Sequence, residues 1–440
     1  MRKTTSTVRV RSSRGLRVIA LSGFFALAAS LLVAITPTAP AEASSGSSCG
    51  ANINPVVCEN SKPGTAPNIW DIDGAGDADI QGFATDISVD VGSTIKFKID
   101  TSASAYKIDI YRTGYYQGLG ARYIASVIPS ATLPQKQPQC ISDANTELYD
   151  CGNWAVSASW NVPSDAISGV YVAKLTRTDN GDASHIIFIV RNDASHSDIV
   201  FQTSDPTWEA YNTYGGADFY QGGANNRAYK ISYNRPFATR GVYAGRDFYF
   251  SGEFATMQFL EQNGYDVSYM AGLDTDRYGS LLRNHSVFLS VGHDEYWSAA
   301  QRANVTAARD AGVNLTFFSG NEVYWHTRYE ASSADGTSTP YRTLVSYKET
   351  WGNTANPQGG KIDTSTSEWT GTWRDPRFAT AANGGSKPEN AVSGTMYMAN
   401  SDDLPVTVTS AQGKTRLWRN TSLTSLAAGS TQALADHTVG

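Results

Sequence analysis

Hydrophobic and polar residues alternate in short runs along the first half of the chain. Residues 93–100, 106–111 and 170–175 place an apolar side chain at every second position, and residues 185–190 form a more continuously apolar run. A period of two is that of a strand with one buried face, and these runs recur between turn-forming residues. The pattern predicts an antiparallel β-sandwich over residues 67–197.

The pattern changes after residue 197, where short apolar runs begin to alternate with helical periodicity. Strand patterns are found at residues 198–203, 265–269, 286–291 and 312–318, and helical patterns at residues 252–261 and 299–311. Strands and helices that alternate at such short spacing predict a parallel α/β sheet over residues 198–440.

The last hundred residues have weak periodicity. From about residue 335 the chain is rich in Thr, Ser, Gly and Asn, so we expect long loops there. It reaches Gly440 without a recognisable terminal element, and we therefore expect the α/β domain to be truncated at its C-terminal end.

The N-terminus has the three parts of a secretory signal peptide. Six basic residues before position 18 precede an apolar run at residues 18–35, and Ala41-Glu42-Ala43 supplies a small-residue cleavage site. We expect cleavage after Ala43, secretion by an actinobacterial type of signal, and a lead-in segment over residues 44–66. An uncleaved membrane anchor is the alternative interpretation, because 18 apolar residues are near the lower limit for a membrane span.

Charge and composition narrow the classes of partner. The chain has 35 Lys and Arg against 41 Asp and Glu, and loss of the basic signal peptide makes the mature protein more acidic. This balance argues against nucleic acid and anionic membrane surfaces as partners.

All four cysteines lie in the first 151 residues. Export to an oxidising compartment favours two local disulfides, Cys49–Cys58 and Cys140–Cys151, although four cysteines allow three connectivities. A zinc site fits less well, because the spacing is wrong and no histidine lies nearby. No cysteine after residue 151 can act as a nucleophile, which excludes an amidotransferase that uses a Cys–His–Glu triad.

The candidate catalytic and metal-binding residues lie where two predicted strands end. His293, Asp294 and Glu295 follow the strand at 286–291, and Asn321 and Glu322 follow the next one. The carboxyl ends of parallel strands meet at one edge of a sheet, where sites gather. The competing interpretation is that Asp294 and Glu295 only begin the next helix.

A loop rich in aromatic residues follows the first strand of the predicted α/β domain, at residues 205–216. It is either a pocket wall or a packed surface loop. His326, farther along, is interpreted as a structural histidine. We find no GxSxG elbow, Walker loop, HExxH motif or dinucleotide-binding glycine fingerprint.

Four longer motifs resemble the large (beta) subunit of N,N-dimethylformamidase and its relatives. They are the segments at residues 111–122, 207–216, 290–297 and 318–325. The resemblance covers residues 80–440. It implies an Ig-like β-sandwich joined to a glutamine-amidotransferase-like (flavodoxin-like) α/β domain.

The same resemblance implies a mononuclear ferric ion held by two tyrosines and one glutamate. Glu295 matches the glutamate. Tyr211 is the choice for one tyrosine, with Tyr214 as its rival, and Tyr171 is the choice for the other. His293 and Asn321 would line the site as catalytic residues.

The predicted function is that of a secreted, metal-dependent hydrolase of a non-peptide C–N amide bond, in which a metal-activated water attacks the carbonyl. Glu322 or His293 would move protons. The substrate would be a small amide or another extracellular molecule, and an oligomer or a small partner subunit is compatible with the sequence. The alternative is a non-catalytic extracellular module that binds carbohydrate or a surface ligand.

Overall fold

The computed structural model describes residues 49–50, 53–238, 248–352, 358–377, 380, 384–398 and 405–435. The predicted signal peptide, residues 1–43, lies outside the described residues. None of the helices in the described ranges is long and apolar enough to cross a membrane.

Strands outnumber helices in these ranges. The helices are α1 (Pro55–Asn60), α2 (Pro67–Trp70), α3 (Asp205–Ala210), α4 (Tyr249–Gly252), α5 (Phe254–Gln262), α6 (Gly272–Arg277), α7 (Ala299–Asp310), α8 (Asn390–Ser393) and α9 (Ser410–Gly413). The first ten strands are β1 (Ile80–Ala84), β2 (Ser88–Asp90), β3 (Thr94–Thr101), β4 (Tyr106–Thr113), β5 (Ala121–Val127), β6 (Ile141–Asp143), β7 (Leu148–Asp150), β8 (Ala158–Asn161), β9 (Gly169–Arg177) and β10 (Ala183–Arg191). The others are β11 (Ile199–Gln202), β12 (Lys230–Ser232), β13 (Val267–Met270), β14 (Val287–Gly292), β15 (Tyr296–Ser298), β16 (Asn314–Ser319), β17 (Trp325–Glu330), β18 (Thr343–Val345), β19 (Val406–Thr409) and β20 (Thr431–Ala435).

Two sheets built from β1–β5 and β8–β10 share one hydrophobic core. One has the order β1-β3-β8 and the other β2-β10-β9-β4-β5, and only the β2–β10 pair is parallel. Along β3, exposed and buried residues alternate, as the sequence predicted. The inward residues of the two sheets meet in pairs such as Phe97 and Phe188, whose ring centroids are 5.7 Å apart.

A four-stranded parallel sheet follows, with the order β13-β11-β14-β16. Helices α5 and α7 lie where helical periodicity predicted them, within two residues at each end. Ser298 caps α7, since its hydroxyl accepts a hydrogen bond from the Gln301 N–H at 3.0 Å. The helix therefore begins after Asp294 and Glu295, which lie in the loop between β14 and β15.

A second sheet, in the order β12-β18-β17-β15, mixes parallel and antiparallel pairs. Its parallel β15–β17 pair places Trp325 opposite Tyr296, beside the loop that follows β14. The described part of the chain is thus a β-rich fold of mixed sheets with few helices.

Both expected disulfides are present. Cys49 is bonded to Cys58 and Cys140 to Cys151, which resolves the three possible connectivities, and the described residues contain no free cysteine. The first staples the lead-in to α1, and the second closes the β6–β7 hairpin.

A buried ion pair joins the sandwich sheets to the parallel-sheet part of the chain. Arg112 on β4 donates to the Glu261 carboxylate on α5 at 2.7 and 3.0 Å, and both side chains are fully buried. Asn60 of α1 and Tyr269 of β13 donate to the same carboxylate, each at 2.8 Å. Arg112, which belongs to the motif at residues 111–122, therefore helps to join the sandwich sheets to the parallel-sheet part of the chain.

Candidate functional site

The residues predicted to carry chemistry lie at the carboxyl ends of neighbouring parallel strands. His293, Asp294 and Glu295 follow β14 directly, and Asn321 and Glu322 follow β16. Backbone hydrogen bonds tie the two loops together, from the Val323 N–H to the Asp294 carbonyl at 3.1 Å and from the Trp325 N–H to the Glu295 carbonyl at 2.9 Å.

The Glu295 carboxylate is the centre of this site. It is 3% exposed and accepts hydrogen bonds from the Tyr220 hydroxyl at 2.7 and 2.8 Å and from the Tyr211 hydroxyl at 3.2 Å. The Trp325 indole N–H donates to it at 3.0 Å, and His293 Nε2 lies 3.5 Å away. Three side chains that are distant from Glu295 in sequence, together with the neighbouring His293, thus converge on one buried carboxylate.

The two tyrosines form a stacked pair. The rings of Tyr211, which follows α3, and Tyr220 have centroids 4.4 Å apart. The Tyr296 hydroxyl donates to the Tyr220 oxygen at 2.7 Å. Burial, reinforced by the Glu295 carboxylate, raises the pKa of the Tyr220 phenol well above its ordinary value.

Tyr171 and Tyr214 are not brought to Glu295. The Tyr171 hydroxyl donates to the Ile167 carbonyl at 2.7 Å, and its ring packs in the core between the two sandwich sheets. Tyr214 packs edge-on against Tyr149, with centroids 6.1 Å apart. The second tyrosine at Glu295 is instead Tyr220.

Lys348 is a further residue of the site. Its side chain is fully buried, and its Nζ has no hydrogen-bond partner among the described residues. Nζ lies 3.3 Å from the centroid of the Tyr220 ring and 4.6 Å from those of Trp325 and Trp351. Burial lowers the pKa of this amine well below its usual value, although Glu295 opposes the shift. Its backbone has a φ of 46°, a strained value for a residue with a side chain.

Sequence reasoning missed both Tyr220 and Lys348. Tyr220 could have been suspected, because it lies between the pairs Gly215-Gly216 and Gly222-Gly223 in a continuation of the aromatic loop. Neither periodicity nor a motif marks Lys348.

The loop after β16 carries backbone strain at two positions. Asn321 has a φ of 49° and Val323 a φ of 57°, and Val323 is a fully buried β-branched residue, for which this conformation is a genuine outlier. The Glu322 carboxylate accepts from the Thr395 hydroxyl at 3.4 Å. Asn321 and Glu322 thus lie beside the site, but they are not among the residues that contact the Glu295 carboxylate.

His326 faces away from Glu295, because side chains alternate along β17 and its neighbour Trp325 points at the carboxylate. Its ring stacks on Trp373 at 4.1 Å, and its Nε2 lies 3.3 Å from the Glu368 carboxylate. The structural role expected for His326 stays a prediction.

A buried carboxyl supports the base of the site. The Glu253 carboxyl accepts from the Ser204 N–H at 3.0 Å, the Ser204 hydroxyl at 2.5 Å and the Trp208 indole at 2.8 Å. Gly292 lies against it with a φ of 93°, and a Cβ there would overlap both Ser204 and Glu253. Burial raises the pKa of Glu253 to about 8 from an ordinary value of 4.5.

This shift predicts that the folded protein loses stability as the pH rises from about 4.5 to about 8, because the folded state binds the Glu253 proton more tightly than the unfolded state. Replacing Glu253 by glutamine should lessen this loss by about 2 to 4 kcal/mol. Urea unfolding at a series of pH values measures it. Asp310→Asn, an exposed control, should keep the wild-type slope, and an unchanged slope in Glu253→Gln would contradict the prediction.

Any metal at Glu295 would depend on tyrosine. The described residues contain no group of three or more His, Cys, Asp or Glu side chains that could hold a metal ion. Two phenol oxygens and one carboxylate are hard ligands of the kind that suits ferric iron. The arrangement of Tyr211, Tyr220 and Glu295 therefore fits such an ion.

One protein family matches most of the chain. The family model described as N,N-dimethylformamidase beta subunit-like, C-terminal, matches residues 107–439. No curated protein matches the chain.

Two solved structures show weak likeness. An uncharacterised protein from Bacillus anthracis str. Ames has 11% identity over 27% of this chain and 84% of its own, with a TM-score of 0.17. A family 123 glycoside hydrolase from Clostridium perfringens has 9% identity over 55% of this chain and 72% of its own, with a TM-score of 0.11. These scores are too low to support an argument about fold or function.

The family match, in contrast, covers well over half of the chain. It includes the strands and loops that bring Tyr211, Tyr220 and Glu295 together. The chain belongs to the N,N-dimethylformamidase beta subunit-like family.

Proposed function

We propose that this protein is a metal-dependent hydrolase of a non-peptide amide C–N bond, with ferric iron held by Tyr211, Tyr220 and Glu295. The observation that carries the proposal is the convergence of two tyrosine hydroxyls on one buried carboxylate. When bound, the ion would supply Lewis acidity toward an amide carbonyl and a water molecule.

The residues around these ligands have distinct roles in the proposal. The Trp325 indole N–H holds the Glu295 carboxylate in place. The rings of Tyr220, Trp325 and Trp351 enclose Lys348 and exclude water from this side of the site. Excluding water strengthens the electrostatic interactions inside.

Two side chains are placed to act on a substrate. The His293 side chain is 20% exposed and lies next to Glu295, so its Nε2 can pass a proton to the leaving nitrogen. Lys348 Nζ, which has no hydrogen-bond partner in the described ranges, can donate to an oxygen atom of the substrate. In this proposal Lys348 joins His293 as a residue that acts on the substrate, while Asn321 and Glu322 lie beside the site on the loop after β16.

We also propose that the parallel sheet belongs to a flavodoxin-like domain and that the two sheets before it form an Ig-like sandwich. The order β13-β11-β14-β16 is second, first, third, fourth along the chain, which is the order of a flavodoxin-like sheet. Two packed sheets before it, antiparallel except for the β2–β10 pair, support the Ig-like sandwich.

The proposal also includes export by the signal peptide at residues 1–43. Two disulfides are compatible with an oxidising compartment. The proposed substrate is a small or extracellular amide.

Metal analysis and optical titration of the purified mature chain test the function. We expect a single ferric ion per chain, a phenolate-to-iron absorption band and hydrolysis of amides in a panel of N-substituted formamides and acetamides. Glu295→Ala should lose all three properties, whereas Asp310→Asn on the surface should keep them. A colourless wild-type chain that takes up no ferric iron would refute the metal site.

The alternative of a non-catalytic binding module makes a different prediction. Binding to an immobilised glycan array that persists unchanged in Glu295→Ala, with no amide hydrolysis by the wild type, would favour it over the hydrolase.

A further inference from the structure

The β6–β7 hairpin, closed by the Cys140–Cys151 disulfide, extends from the sandwich to the segment that carries Tyr220. At its base, the Cys151 N–H donates to the Asn234 carbonyl at 2.8 Å. The Asn234 amide donates in turn to the Asp150 carboxylate at 3.0 Å. The hairpin is therefore anchored next to β12, at the end of that segment.

Tyr149, on β7 of the hairpin, contacts the part of the segment that precedes Tyr220 in sequence. The Tyr149 ring lies against Gly215, where a Cβ would overlap it, and contacts the ring of Tyr214. Gly215 has a φ of 92° as well, so both space and backbone conformation require glycine here.

The tip of the hairpin contacts the part of the segment that follows Tyr220 in sequence. The Glu147 carboxylate accepts from the Asn225 N–H at 3.1 Å, and a Cβ at Gly223 would overlap it. The Tyr229 N–H donates to the Thr146 carbonyl at 2.8 Å. The hairpin thus contacts the segment on both sides of Tyr220.

Tyr220 itself lies in a tight turn between these contacts. Ala217 and Gly222 form an isolated antiparallel bridge that closes the turn. The Asp218 carboxylate accepts from the N–H groups of Tyr220 and Gln221 at 2.6 and 2.9 Å. The turn is internally braced, so its placement depends on the contacts of its two ends and on those of Phe219, whose N–H donates to the Ala210 carbonyl at 3.0 Å.

We propose that the disulfide-closed hairpin positions Tyr220 against Glu295, so that the two-tyrosine site is complete only when Cys140 and Cys151 are bonded to each other. Glu147 and Tyr149 are then positioning residues, since they act through Tyr220. The inference rests on the proposed function for the identity of the metal ion. The contacts between the hairpin and residues 213–229 do not depend on any metal.

The test compares two double variants of the mature chain. Cys140→Ser/Cys151→Ser opens the hairpin, and Cys49→Ser/Cys58→Ser is the matched control, because it removes the disulfide at α1. Hydrogen exchange of peptides covering residues 213–229 should become at least about tenfold faster in the first variant and stay at the wild-type rate in the second. The phenolate-to-iron band should weaken or shift only in the first.

Glu147→Ala provides a second test that keeps both disulfides. It should produce a smaller change of the same kind, and it carries the test if the hairpin variant fails to fold by circular dichroism. The proposal would be overturned if the folded hairpin variant exchanged residues 213–229 at the wild-type rate. If only Glu147→Ala can be tested, a wild-type rate in that variant would overturn it. So would faster exchange with an unchanged iron band.

The two proposals can fail separately. If the wild type takes up no ferric iron, the proposed function fails, while hydrogen exchange still decides whether the hairpin holds the tyrosine segment.

Discussion

Replacing Tyr220 by phenylalanine should lower the affinity of the chain for ferric iron by at least about 100-fold. The substitution keeps the ring that stacks on Tyr211 but removes the hydroxyl that lies 2.7 and 2.8 Å from the two Glu295 oxygens. Competition with a ferric chelator measures the affinity, and the phenolate absorption band should lose intensity in parallel.

Tyr171→Phe is the informative comparison, because the family resemblance selects Tyr171 whereas the structure selects Tyr220. Removing the Tyr171 hydroxyl breaks a hydrogen bond to Ile167 in the sandwich and should leave iron affinity at the wild-type value. If Tyr171→Phe loses iron and Tyr220→Phe keeps it, the ligand set inferred from the structure is incorrect.

Replacing Arg112 by methionine should destabilise the folded chain by about 3 to 5 kcal/mol. The Glu261 carboxylate would remain fully buried with its charge uncompensated, although Asn60 and Tyr269 would still donate to it. Urea unfolding followed by two independent probes measures the free energy and checks that the transition remains two-state.

Two further variants test the physical reason for that loss. Arg112→Met/Glu261→Met should be less destabilised than Arg112→Met alone, because no unpaired charge is left in the interior. Arg309→Met, at an exposed ion pair with Asp310, should cost less than about 1 kcal/mol. A double variant that is destabilised as much as Arg112→Met, or more, would contradict this reason.

The alternation of strands and helices could be predicted because it follows from the spacing of apolar residues along the chain. In β3, the three apolar residues are buried, each between two more exposed polar residues, and the apolar stripe of α5 ends near Gly264. The partners of each strand were not predictable in this way. The β15–β17 pair depends on which chain segments meet in space, and two-residue periodicity carries no such information.

The site was predictable where it follows directly from a strand end. His293 and Glu295 could be selected because the carboxyl end of β14 is a general location for sites in parallel sheets. Tyr220 and Lys348 could not be selected, since each reaches Glu295 along a loop whose course is set by turns and by packing. The choice of Tyr171 shows the same limit, because distance along the chain does not determine distance in space.

The sequence by itself determined the local elements and the family, because each is encoded in short-range pattern or in motifs. It favoured the pairing of neighbouring cysteines, and the structure excluded the other two connectivities. Only the tertiary structure decided which tyrosines meet Glu295. That choice is made by the packing of Tyr211, Tyr220 and Trp325 around one buried carboxylate, and by the turn that delivers Tyr220 to it. Burial of a charged group requires several donors at once, and only the folded chain brings them together.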